Sequence, residues 1–73
     1  MKKARAVVFA ESLALAMKFR GMTQAELARR AGSTRATICR LLHDRNLPSF
    51  DLLLRIEAVL PELREHIKQG VSK

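Results

Sequence analysis

Between residues 29 and 45 the large polar side chains are mostly arginines: Arg29, Arg30, Arg35, Arg40 and Arg45. A guanidinium is a planar fork that is always charged. It matches the two oxygens of a phosphate, or the paired acceptors on the major-groove edge of guanine. Arg40 falls on one side of a helical wheel with Ala36, Cys39 and His43, and Arg35 and Thr37 flank that side. Ile38, Leu41 and Leu42 cluster within about 100° on the other. Such a helix is built to be buried along one stripe and to offer arginines along the other.

Charge along the chain supports a polyanionic partner. The 73 residues carry a net charge of +7, distributed as +4 over residues 1–20, +3 over 21–46 and zero over 47–73. A charge confined to one part of the chain argues for a face that attracts a polyanion rather than for general solubility.

Other chemistry is excluded by what the sequence lacks. No nucleophile stands beside a base, no paired carboxylates share a face, and no glycine-rich loop is set to cradle phosphate, so no enzyme is expected. The single cysteine, Cys39, excludes an internal disulfide framework. The two histidines, His43 and His66, lie 23 residues apart without ligand spacing, so neither a metal nor a cofactor is expected. Cys39 is open to a reading as a redox switch, against the plainer one of a tolerated thiol in a reducing, cytoplasmic setting. His43 fits the C-terminal end of a helix, where a cation suits the dipole.

These side chains need a scaffold, and the composition points to helices. The chain is 48% hydrophobic, without Trp or Tyr, with two prolines and three glycines, and it has no alternating β-branched run. An all-α domain spanning residues 1–73 is expected, with the first helix at about Ala4 to Arg20, stopped by Gly21. The segment MKKARAVVFAESLALAMKF has the outline of a signal peptide. Glu11 and Ser12 split its apolar run, however, and it reads as an ordinary first helix with Phe9, Leu13, Ala16 and Met17 inward. Nor does the chain offer the roughly 20 apolar residues of a membrane span.

Thr23 with Glu26 forms a T-x-x-E capping box opening a helix from Gln24 to Ala31, with Leu27, Ala28 and Ala31 inward. Gly32 ends it and Thr34 caps the next, from Arg35 to about His43. Ala28 and Ala31 are small enough to let these two helices cross closely. Pro48 and Ser49 announce a fourth helix, with Leu52, Leu53, Ile56, Val59 and Leu60 facing the core. Pro61 is expected at the first position of a fifth, with Leu63 and Ile67 apolar, ending in a frayed tail from Gly70. Phe50, Leu54, Val8 and Leu15 lie off the main stripes. With Leu63 and Ile67 they suggest either a patch for a second subunit or a thicker core around helix five.

Two short helices around a tight glycine turn, the second with a basic outer face, describe a helix-turn-helix over about residues 24–43. The run GMTQAELARRAGSTRATICRLL followed by RNLPSFDLLLRI resembles the lambda-repressor/Cro-like helix-turn-helix family over about residues 9–60, most closely in TQ-x-ELA, in TI-x-R and in PS before a leucine-rich helix.

The resemblance implies a five-helix domain that binds double-stranded operator DNA, usually as a homodimer, and regulates transcription. Carried over position by position, it makes Arg35, Ala36 and Arg40, with Cys39 beside them, the base contacts. Gln24, Thr34, Thr37, Arg45 and Asn46 become the phosphate contacts. Repression of a palindromic operator by a two-fold dimer, with its reading helices about 34 Å apart, is the simplest form. The settings open are a phage Cro-type protein, a restriction–modification controller or an antitoxin whose main task is neutralising a partner protein. Sequence-independent coating of nucleic acid is a further alternative. Lys2, Lys3 and Arg5 read either as an arm into the minor groove or as a solvated terminus.

Overall fold

The computed structural model describes residues 5–43 and 46–71, with side chains through residue 69. Five helices follow one another: α1 Arg5–Arg20, α2 Gln24–Arg30, α3 Arg35–His43, α4 Phe50–Val59 and α5 Leu63–Val71. The chain is all-α, as composition and periodicity predict.

Local signals explain most helix ends. Gly21 sits at φ +64° and Gly32 at φ +67°, backbone that a Cβ would strain. Each closes a Schellman motif. Met22 N–H donates to the Met17 carbonyl (2.9 Å) and Gly21 N–H to Lys18 (3.1 Å). Ser33 N–H donates to Ala28 (2.8 Å) and Gly32 N–H to Arg29 (3.4 Å). Thr23 Oγ1 accepts from the Glu26 N–H at 3.1 Å, which is one arm of the expected capping box. The Glu26 carboxylate turns along the helix and accepts from Arg30 at 3.2 Å. Ser49 Oγ caps α4 by accepting from the Leu52 N–H at 3.2 Å.

The expected start and end of α5 need correcting. Pro61 is not its first residue: Leu63 N–H donates to the Leu60 carbonyl at 3.0 Å, closing a turn across Pro61 and Glu62. The first helical bond, from His66 N–H, reaches Glu62. Proline's fixed φ suits the second position of that turn equally well. At the other end the helix continues through Gly70 to Val71, where fraying was expected. Ser72 and Lys73 lie outside the described residues. At α2, Ala31 caps the helix and is not its last turn.

Fully buried side chains come from every helix: Leu13, Leu27, Ile38, Ile56 and Leu63, joined by Leu60 just after α4. Ala28 and Ala31, both buried, allow the close approach of α2 to α3. Leu42, Leu52, Leu53, Val59 and Ile67 pack on the edge of this cluster. Burying each large aliphatic side chain contributes about 1.5–3 kcal/mol.

Helix α1, packed on α5 and α3, is apolar nearly all round. Its inner face carries Phe9, Leu13, Ala16 and Met17, while Leu15 and Phe19 stand exposed on the other. Val8 and Leu63, two members of the suggested subunit patch, are buried in this chain. That favours the thicker core for those two. Phe50 and Leu54 remain exposed, as does Leu15.

Candidate nucleic-acid interface

The turn between α2 and α3 determines how α3 is presented. Thr34 starts α3: its Oγ1 accepts from the Thr37 N–H at 3.1 Å, and the two threonine hydroxyls lie 2.9 Å apart in a mutual hydrogen bond. One hydroxyl hydrogen bridges the two oxygens, which leaves the other to donate outward. Ile38 and Leu41 then point into the core and anchor α3 against α1 and α2. The remaining sides are fixed by the helical repeat. Arg35, Ala36, Arg40 and His43 are exposed, while Thr37 and Cys39 are half-buried beside them.

Among the described residues no carboxylate pairs with Arg35 or Arg40. Most other described arginines are engaged. Arg30 is bound to Glu26 one turn back. Arg20 holds Glu62 through two nitrogens, at 2.7 and 3.0 Å, joining the end of α1 to the turn before α5. That hydrogen bond keeps the Glu62 carboxyl below the usual glutamate range and pushes the Arg20 guanidinium up. Arg64 reaches Glu57 at 3.4 Å, and Arg55 pairs with Asp51.

Arg55 is the residue that sequence reading missed. Its Nη1 donates to the Gly32 carbonyl at 3.3 Å, so α4 holds the turn that aims α3. Asp51, one turn before Arg55, orients the guanidinium. The Asp51–Arg55 spacing is legible as an i,i+4 pair. The contact to Gly32 is not, because it joins positions 23 residues apart.

Of the expected site residues, Arg35, Ala36, Cys39 and Arg40 come together on α3, with Thr34 and Thr37 at its first turn. Gln24 is half-buried as the first residue of α2, and Asn46 is exposed after α3. Arg45 lies outside the described residues, as do Lys2 and Lys3 of the suggested arm. Arg5 is not part of an arm: it is the first described residue of α1. No group of three possible metal ligands occurs among the described residues, and no described helix is long and apolar enough to cross a membrane.

A helix-turn-helix family model matches residues 13–72, most of the chain. The chain belongs to the lambda-repressor/Cro-like helix-turn-helix family. As a member of that family it is a DNA-binding transcription regulator. The match starts a few residues later than the stretch 9–60 that motifs alone suggested and runs past its end to take in α5. No curated protein and no solved structure matches the chain.

Proposed function

We propose that this helix-turn-helix protein is a sequence-specific repressor acting in the cytoplasm on a two-fold symmetric operator, each subunit laying α3 in a major groove. The observation that carries this reading is the outer face of α3. Arg35 and Arg40 stand exposed there without a carboxylate partner among the described residues, and Ala36 keeps the surface between them low. An unengaged guanidinium has both prongs available for the O6 and N7 of a guanine, and a small residue lets the helix sink toward base edges.

Cys39 lies close enough along α3 to meet a neighbouring base. Thr34 and Thr37, with one hydroxyl hydrogen to donate, and Gln24 at the head of α2 fix the helix on phosphates. Arg45 and Asn46 hold the backbone further along. Phosphate contacts supply affinity without sequence preference, and the α3 contacts supply the preference. The described residues act as one DNA-reading unit, and blocking access to a promoter follows from occupancy alone.

Selection of the protein against a random duplex pool at near-physiological salt tests this reading. A symmetric site with guanines at corresponding positions of both halves supports a paired reader. Enrichment of an unsymmetric site removes the pairing, and no enrichment removes sequence reading altogether and leaves salt-sensitive coating of nucleic acid.

A further inference from the structure

Arg35 and Arg40 are both exposed on α3, yet they do not point the same way. Ile38 and Leu41 are buried and fix the inward side of the helix. At about 100° per residue, Ala36 lies almost directly opposite them, on the meridian that faces outward. Arg40 stands about 50° to one side of that meridian and Arg35 about 90° to the other. Along the helix axis the two arginines are about 7.5 Å apart. Ala36, exposed, and Cys39, half-buried, are neighbours one turn apart and fill the surface between them. Among the described residues no carboxylate draws either guanidinium aside.

This spread, taken with the reading of α3 as a helix laid in the major groove, on which it rests, constrains the sequence that is read. The N7 and O6 acceptors of a guanine sit toward the groove wall formed by its own strand. A helix lying along the groove has one wall on each side, so Arg35 and Arg40 reach guanines of opposite strands. An offset of about 7.5 Å, against a rise of about 3.4 Å per base pair, puts those guanines about two or three base pairs apart. Between them the helix offers only Ala36 and the Cys39 thiol, which are short, apolar and without a strong donor. The feature of a base edge that such a surface selects is the C5-methyl of a pyrimidine.

We propose that each half-site of the operator carries two G·C pairs, their guanines on opposite strands two or three base pairs apart, around a pyrimidine whose C5-methyl packs on Ala36 and Cys39. Thymine and 5-methylcytosine present that methyl at the same place in the groove. Guanines on one strand alone would need both arginines on one side of α3, which their separation of about 140° opposes.

The test takes the duplex selected by the full chain and changes single atoms in both half-sites. Replacing one guanine at a time with 7-deazaguanine removes N7 alone. One such change on each strand is expected to weaken binding about tenfold. Arg35→Ala is expected to be insensitive to one of them and Arg40→Ala to the other. Both side chains are exposed, so both variants keep the fold. Uracil in place of the intervening thymine removes the methyl alone and is expected to weaken binding about threefold. Ala36→Gly should erase that difference while both guanine couplings persist. A 5-methylcytosine·G pair at the same position is expected to bind about threefold more tightly than C·G.

Coupling of both arginines to guanines of one strand, or to guanines adjacent or more than three pairs apart, overturns the proposal. So does equal affinity with and without the methyl at every intervening position. A preferred site without this pattern overturns the pattern alone, whereas a pool that yields no preferred site overturns the sequence-reading proposal as well.

Discussion

The same side chain is used in opposite ways in two halves of this molecule. On α3, Arg35 and Arg40 face solvent with no acidic partner among the described residues. Around α4 and α5, Arg20, Arg55 and Arg64 each hold a carboxylate: Glu62, Asp51 and Glu57. An exposed ion pair contributes little to stability, because water and side-chain entropy offset most of the attraction. What it changes more is availability. A paired guanidinium must leave its carboxylate before it meets a phosphate or a base, whereas an unpaired one only sheds water and counterions. The zero net charge of residues 47–73 and the +3 of residues 21–46 are therefore more than bulk properties. They only partly separate arginines that order the fold from those left for a polyanion, since Arg20, in residues 1–20, and Arg30, in residues 21–46, both hold carboxylates.

Breaking the first half should have the largest effect. Replacing Arg35 and Arg40 with alanine is expected to reduce specific DNA affinity by about a hundredfold or more, since each good arginine–guanine pair discriminates by about 1–3 kcal/mol. Thermal stability should move by no more than about 0.5 kcal/mol, because both side chains are exposed. Electrophoretic mobility shifts and urea melts of the same variant separate the two quantities.

The turn joining the two halves comes next. Gly32→Ala forces a Cβ onto backbone at φ +67° and is expected to destabilise the protein by about 1–2 kcal/mol in urea unfolding. The strain would be conformational rather than steric, because the nearest atom to that Cβ, Arg55 Nη1, lies at an ordinary 3.6 Å.

Arg55→Met sharpens the comparison, since it removes an arginine that aims α3 without belonging to the α3 face. A several-fold loss of DNA affinity with little change in sequence preference is expected by quantitative footprinting. A changed preference would mean that Arg55 itself reads bases.

Much of this arrangement was legible because its determinants are local. Thr23, Thr34 and Ser49 cap the helices they precede, and Gly21 and Gly32 end the helices they follow. The spacing of Ile38, Leu41 and Leu42 fixes which side of α3 is buried, and hence that Arg35 and Arg40 are exposed. Where the sequence misled, the deciding contact was distant or ambiguous. Proline fits a turn as well as a first helical turn, so Pro61 did not locate α5. Helix α1 is apolar on both faces, so periodicity alone did not assign Val8 to the core. The Arg55–Gly32 and Arg20–Glu62 contacts join positions 23 and 42 residues apart, beyond any local rule.

The smallest effect is expected from the Arg20–Glu62 pair, and its sign follows from the depressed Glu62 pKa. The stabilisation is present above the unfolded glutamate value of about 4.3 and is lost as pH falls through the lower folded value. Wild type should therefore melt slightly above Arg20→Gln at neutral pH, by a margin that shrinks in high salt and vanishes in strong acid. DNA affinity should be little changed, because Arg20 is already engaged.

The central claim is that the α3 arginines act as forks on bases, and not merely as charge. Lysine keeps the charge and loses the fork. The most direct measurement is therefore the ratio of affinities for the selected operator and for unrelated duplex DNA. It is made on Arg35→Lys with Arg40→Lys, and on Arg20→Lys with Arg64→Lys. The account predicts that the first pair collapses the ratio while leaving affinity for unrelated DNA nearly intact, and that the second pair changes neither. A ratio preserved in the first pair, or lost equally in both, would contradict it.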